Sequence, residues 1–235
     1  MQKYTKQYEK EIRELADACN LLGKKKLTSS VGGNLSLRVS PEHILITPTS
    51  MQKEFIKPED ICIVDYAGKT IYAREGLAPT SETPFHIMVM NNRTDIVSAV
   101  HAHCTVLSAF AISKTNWLEQ PFFPEPSMEI GPIITVPYVE PSCDRLADQI
   151  QRYVHKSNGF LLQNHGALAL SAKSVGDAVE KLYMMESIAK SVYMAVTLGE
   201  TKKLTKDEIR KIEELQLVKG LKTETEPITE SFLFD

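Results

Sequence analysis

The sequence predicts an α/β domain in which helices cover a largely antiparallel sheet. Three observations carry that expectation. Short β-rich runs come in adjacent pairs, residues 34–39 with 43–48 and again within 60–73. A further pair inside 159–170 brackets the turn Asn164-His165-Gly166. Stretches with apolar residues at helical spacing lie before, between and after these pairs. Because hairpins outnumber helix crossovers, most neighbouring strands should run antiparallel.

Taken in order, residues 3–24 place Ile12, Leu15, Cys19 and Leu22 on one face of a helix and charges on the other. NLSLRV (34–39) and HILITP (43–48) form a first hairpin around a polar turn containing Pro41. DICIVDYAGKTIYA (60–73) forms a second, turning at Ala67-Gly68. A helix should begin near Ser81, with Ser81 as its N-cap and Glu82 in its first turn, and run through ETPFHIMVMNN. DIVSAVHA (95–102) reads as a buried strand, followed by a helix near 104–113. Pro121, Pro124, Pro126, Pro132 and Pro137 mark 116–137 as a long shaped loop, with order resuming at PIITVPY.

A helix over 142–157 then leads into the strand, turn and strand around His165. Residues 174–198 form the longest helix, on the apolar set Val175, Ala178, Val179, Leu182, Met185 and Ile188. Thr205-Lys-Asp-Glu208 is a capping pattern that opens a helix over 205–219. The tail, 221–235, is polar until Phe232-Leu233-Phe234 and is expected to be mobile, which leaves 1–220 as the domain.

Composition narrows the function. With 43% hydrophobic and 24% charged residues, a 235-residue chain can bury a full core as one domain. Its 27 Lys+Arg against 30 Asp+Glu give a net charge of −3, and no long basic run is present to neutralise a row of phosphates, so nucleic acid is not an expected partner. The charged N-terminus lacks the apolar segment of a signal peptide, and no uncharged stretch is long enough to span a bilayer. A cytoplasmic protein without a membrane partner is expected. Cys19, Cys62, Cys104 and Cys143 have no CxxC spacing and read as small buried apolar residues.

The chemistry concentrates on a few residues. His101 and His103 are two apart at the end of a strand, where side chains share a face about 7 Å apart. Such a pair suits a divalent metal, with His165 in its tight turn as the third ligand, but it also suits polar core or surface histidines. His43 and His155 read as surface residues, and His86, one helical turn after Glu82, as a residue orienting that region. Glu82 is either a first-turn carboxylate facing the helix dipole or a general acid/base beside a metal. Val31-Gly32-Gly33-Asn34 can form a backbone nest, and Thr47-Pro48-Thr49-Ser50 and Thr80-Ser81 add hydroxyls at turns. Those clusters suggest one phosphate group held by neutral donors rather than by a Walker loop.

In order, SSVGGNLSLR, ITPTS, PTSE, VHAHC, VPY and LLQNHGAL resemble the class II aldolase and sugar-phosphate epimerase family over about residues 5 to 200. That resemblance implies a three-layer α/β/α sandwich with a central, largely antiparallel mixed sheet, and a homotetramer with active sites between subunits. It implies Zn²⁺, or another divalent metal such as Mn²⁺ or Co²⁺, on His101, His103 and His165. Glu82 becomes the acid/base, able to join the metal when substrate is absent. Gly33, Asn34, Thr49, Ser50, Thr80 and Ser81 fall on phosphate-binding positions. Tyr138 falls on a tyrosine that reaches a neighbour's site and handles the proton of the aldehyde-derived oxygen.

In this family the 4-epimerase has Asp at the acid/base position where the fuculose-phosphate aldolases have Glu, so Glu82 favours an aldolase. The expected reaction cleaves a ketose 1-phosphate like L-fuculose 1-phosphate through a Zn²⁺-stabilised enediolate to dihydroxyacetone phosphate and an aldehyde. L-Ribulose-5-phosphate 4-epimerase, sugar-phosphate dehydratase and decarboxylase activities share the scaffold and stay open. So does a non-catalytic, adducin-like interaction module, against which the three histidines and Glu82 argue.

Overall fold

The computed structural model describes residues 6–218. Strands β1 (Asn34–Arg38), β2 (Ile44–Ile46), β3 (Cys62–Val64), β4 (Thr70–Tyr72), β5 (Ser98–Ala102), β6 (Ile134–Val136), β7 (Gly159–Leu162) and β8 (Gly166–Ser171) form one sheet in the order β4-β3-β2-β1-β5-β8-β7-β6. Every neighbouring pair is antiparallel except β6 and β7, so the sheet is mixed but largely antiparallel, as the hairpin count implies. Helices are α1 (Glu9–Lys24), α2 (Thr83–Asn92), α3 (Thr105–Ala111), α4 (Pro124–Glu129), α5 (Asp144–Gln151), α6 (Val175–Leu198) and α7 (Lys206–Val218).

Alternation along the strands decides which helices cover which face. In β8, Ala167 and Ala169 face one way and Leu168 and Leu170 the other. The first face packs under Leu15 and Leu22 of α1, Leu107 of α3, and Val179, Leu182 and Met185 of α6. Phe85 and Val89 of α2, with Leu146 and Ile150 of α5, cover the second. The result is the α/β/α sandwich. Among the described residues no helix is long and apolar enough to cross a membrane.

Several local expectations need correction. Helix α2 starts at Thr83 with Glu82, not Ser81, in the capping position, because the Ser81 hydroxyl is paired with Ser142 Oγ at 2.8 Å. The region 116–137 is more ordered than a loop. It holds a 3₁₀ turn (Trp117–Glu119), α4 and β6, and Pro124 and Pro126 fit the first turn of α4, where a missing N–H breaks no helical bond. The helix expected over 142–157 is helical only as α5. His43 is buried, with Nδ1 2.9 Å from the Tyr8 hydroxyl. His155 is exposed, as expected. Three cysteines are buried, and burial pushes the Cys19 and Cys62 thiols up to about 12, whereas Cys143 is half-buried. Thr205 and Glu208 form the capping pair before α7, with Thr205 N–H donating to Glu208 Oε2 at 2.7 Å. The tail and its Phe232 and Phe234 lie outside the described residues.

One buried arginine ties the second face together. Arg93, just past α2, donates from Nε to Asp95 Oδ1 at 2.7 Å and also pairs through Nη2 with Asp95 Oδ2. It reaches Val154 O at 2.9 Å and Asn158 Oδ1 at 3.0 Å as well. Removing the carboxylate leaves a guanidinium buried without its counter-charge. Asp95→Ala is therefore expected to cost about 3–5 kcal/mol, read as a lower urea midpoint; an unchanged midpoint would show that the carbonyls alone satisfy Arg93.

Candidate metal centre and anion cleft

β1, β5 and β8 are neighbours in the middle of the sheet, and the site forms where β5 ends and β8 begins. Register sets Asn34 of β1 and Leu168 of β8 on either side of His101. The His101 ring is fully buried on the α2 face, edge-on to Phe85 with ring centroids 5.9 Å apart. One residue past the strand, His103 stands at the rim, and the β7–β8 turn delivers His165 from the other side. That turn has Asn164 at φ 56° and then Gly166. A Cβ on Gly166 would lie 2.7 Å from both Ala102 O and His103 Cδ2, so the close approach of the turn to the histidines requires glycine.

The three imidazoles each offer a ring nitrogen, and these atoms lie within 4.8 Å of one another, a group that could hold a metal ion. His101 Nε2 and His103 Nε2 are 3.1 Å apart. Glu82 closes the set, with Oε2 3.5 Å from His101 Nε2 and Oε1 3.3 Å from His165 Nε2. Ligand bonds near 2.0–2.1 Å in a tetrahedral site put neighbouring donors about 3.4 Å apart, close to the 3.1, 3.5 and 3.3 Å of these three pairs. His101 Nδ1–H donates to Ala167 O at 2.9 Å, which leaves the lone pair on Nε2. His165 Nδ1 is buried with no hydrogen-bond partner among the described residues.

Electrostatics keep the imidazoles available as ligands. Burial holds His101 well below the ordinary histidine range, and the neighbouring His165 and His103 add to that shift. Burial also lowers His103, helped by His165 and Lys53. His165 is lowered by burial with Glu82 opposing. Uncharged rings keep the nitrogen lone pairs that a cation needs.

Glu82 is oriented by a chain of hydrogen bonds. Its Oε2 accepts from Asn34 Nδ2 at 2.7 Å, and Asn34 Oδ1 lies 2.6 Å from His86 Nε2. Because an amide oxygen only accepts, the His86 proton sits on Nε2, and Nδ1 accepts from the Ser36 hydroxyl at 2.7 Å. Burial pushes His86 down to about 3, so the ring carries one proton and the direction of the chain is set. His86 thus orients the Glu82 region, in line with the sequence reading.

From the histidines a cleft of about 320 Å³ opens to solvent, lined among others by Gly33, Asn34, Thr49, Ser50, Thr80 and Ser81. A bridge between Pro48 and Pro79 joins the two hydroxyl turns, flanked by Thr49 N–H to Ala78 O at 2.9 Å and Thr80 N–H to Thr47 O at 3.1 Å. Gly33 has φ 78°, and a Cβ there would lie 2.6 Å from His101 O. Among the described residues no acceptor pairs with the backbone N–H of Gly33, Ser50 or Ser81. Asn34 lines the cleft as well, with its amide group bonded to Glu82 and His86. Tyr138 does not line this cleft. Its ring is exposed, and its backbone N–H donates to Gln163 Oε1 at 3.1 Å. Sequence reasoning missed Ser142, which lines the cleft through its contact with Ser81, and Lys53, buried behind it. Nothing local in the sequence marks either one.

Known proteins resemble this chain in sequence and in fold. Residues 13–193 match the family described as Class II Aldolase and Adducin N-terminal domain. An L-fuculose phosphate aldolase of Methanococcus maripaludis is 33% identical over 177 residues, 75% of this chain and 92% of that one. A 3-oxo-tetronate 4-phosphate decarboxylase of Pectobacterium atrosepticum is 30% identical over 185 residues, 77% of this chain and 82% of that one. Among solved structures, an L-fuculose 1-phosphate aldolase superposes with a TM-score of 0.77 at 26% identity, over 87% of this chain and 95% of that one. YgbL of Klebsiella pneumoniae, whose name leaves aldolase, epimerase and decarboxylase open, superposes with a TM-score of 0.79 at 27% identity, over 88% and 98% of the two chains. On a sequence match that spans most of its length, and with a fold shared by these structures, the chain belongs to the class II aldolase and adducin N-terminal domain family.

Proposed function

We propose that the protein is a metal-dependent class II aldolase that cleaves a ketose 1-phosphate, of the L-fuculose 1-phosphate kind, to dihydroxyacetone phosphate and an aldehyde. The observation that carries this reading is the placing of Glu82 against His101, His103 and His165 at one end of a cleft whose other end is built from hydroxyls and backbone N–H groups. The three histidines would hold Zn²⁺, with Mn²⁺ or Co²⁺ as alternatives that the same nitrogen donors accept. When bound, the ion supplies Lewis-acid stabilisation of the negative charge that develops beside the substrate carbonyl.

The chain's own residues perform the rest. Gly33, Thr49, Ser50, Thr80 and Ser81, with Asn34 at the boundary, hold the phosphate and fix the reacting carbons relative to Glu82. Breaking the C3–C4 bond leaves an electron pair on C3 of the dihydroxyacetone phosphate half, as an enediolate. The Glu82 carboxyl delivers a proton to that carbon and, in the condensation direction, removes it. Asn34, held by His86, keeps the carboxyl group in place through its bond to Oε2. The exposed Tyr138 ring suits a role at a neighbouring copy's cleft in a homotetramer, where it would pass a proton to or from the oxygen that becomes the aldehyde.

The decarboxylase relative favours a second reading. Loss of CO₂ from 3-oxo-tetronate 4-phosphate leaves the same enediolate of dihydroxyacetone phosphate, so the same residues serve both reactions. Only the departing group differs. Zn²⁺-loaded protein should be given each substrate separately, with dihydroxyacetone phosphate, aldehyde and CO₂ all measured. Dihydroxyacetone phosphate plus aldehyde from the ketose phosphate is the expected result. Product from the oxo acid alone, with CO₂, replaces the aldolase by the decarboxylase, and product from neither overturns both.

A further inference from the structure

Lys53 opens the short 3₁₀ turn Lys53–Phe55 just after the Thr49-Ser50 loop, and its side chain runs inward instead of toward water. It is 1% exposed. No carboxylate pairs with it among the described residues. Its Nζ donates instead to Val31 O at 3.0 Å and Met51 O at 2.7 Å. Val31 lines one wall of the cleft, and Met51 adjoins Ser50 of another, so a single ammonium group ties two walls together from behind. Burying a cation without an anion is unfavourable unless something else gains from its charge.

The cleft is what gains. None of the residues lining it is Lys or Arg, and Glu82 is its carboxylate. A phosphate dianion entering it meets neutral donors and a like charge. Lys53 Nζ lies 3.0 Å from the carbonyl of Val31, the residue before the paired glycines Gly32 and Gly33 that line the cleft, so its charge stands directly behind the donors a phosphate would meet.

We propose that Lys53 is the charge-bearing positioning residue of the phosphate cleft: a buried ammonium that favours a dianion through its field while it holds the Val31 and Met51 carbonyls. This inference rests on the phosphate reading of the cleft but not on the choice between aldolase and decarboxylase. The test is calorimetric binding of inorganic phosphate and of methanesulfonate, a tetrahedral monoanion, to Zn²⁺-loaded wild type and Lys53→Met at a pH where phosphate is dianionic. Phosphate affinity should fall about tenfold to a hundredfold, and methanesulfonate affinity by about the square root of that factor, because Coulomb energy scales with ligand charge. Equal losses for both anions would mean that Lys53 only braces the loops, and unchanged phosphate affinity would remove it from the site; either overturns the proposal. If Lys53→Met does not fold, Lys53→Gln, which keeps a donor for one carbonyl but no charge, is compared in the same way. Failure of the wild type to bind phosphate at all overturns the phosphate reading itself, and this inference with it.

Discussion

Replacing His103 with alanine is expected to remove the metal and the turnover together. Of the three imidazoles, His101 is fully buried and bonded to the Ala167 carbonyl, so its loss would damage the sheet as well as the site. His103 stands past the end of β5 at the rim of the cleft, where alanine removes a ligand without emptying the core. Two nitrogens and Glu82 then remain. Metal measured after dialysis should fall from stoichiometric to near background. Activity should drop by about a thousandfold or more, because several kcal/mol of Lewis-acid stabilisation go at about 1.4 kcal/mol per factor of ten. The thermal midpoint measured without metal should stay close to that of metal-free wild type. Stoichiometric metal in an active His103→Ala protein would take this residue out of the ligand set.

Glu82→Gln is expected to separate what His103→Ala joins. Glutamine has nearly the same shape and can still present an oxygen to Asn34 Nδ2, so the network from Ser36 through His86 should persist. What it cannot do is give up or take a proton. Metal content should therefore stay stoichiometric, phosphate affinity should be unchanged or slightly improved, and kcat should fall by about 10²–10⁴. Turnover close to wild type in a metal-loaded Glu82→Gln protein would leave this carboxylate with an orienting role only.

The strand pairs and long helices could be read from local pattern, since period-2 and period-3.6 spacing belong to short stretches of chain. The hydroxyl and glycine turns could also be read, because Gly33, Thr49, Ser50, Thr80 and Ser81 lie in compact motifs, and the sheet brings those motifs to one cleft. Residues defined by distant contacts could not. Lys53 looks like an ordinary surface lysine until the chain places Val31 O, 22 residues away, beside its Nζ. His43 reads as a turn histidine until Tyr8, 35 residues earlier, covers it. Proline misled for another reason. In 116–137 its frequency suggested irregular chain, but Pro124 and Pro126 fall where a helix tolerates them.

The two ends of the sheet say how copies of this chain can and cannot associate. β4 and β6 are the outermost strands, each of 3 residues. Pro132 and Pro137 stand just outside β6, and the ladder beside β4 is irregular at Ile63/Val64. Such borders expose few unpaired backbone groups in line, so a second molecule has little template on which to add a strand. Continuous sheets running from copy to copy, and the fibres that grow from them, are thereby disfavoured. Self-association is left to helix and loop surfaces, where side chains rather than main chain choose the partner.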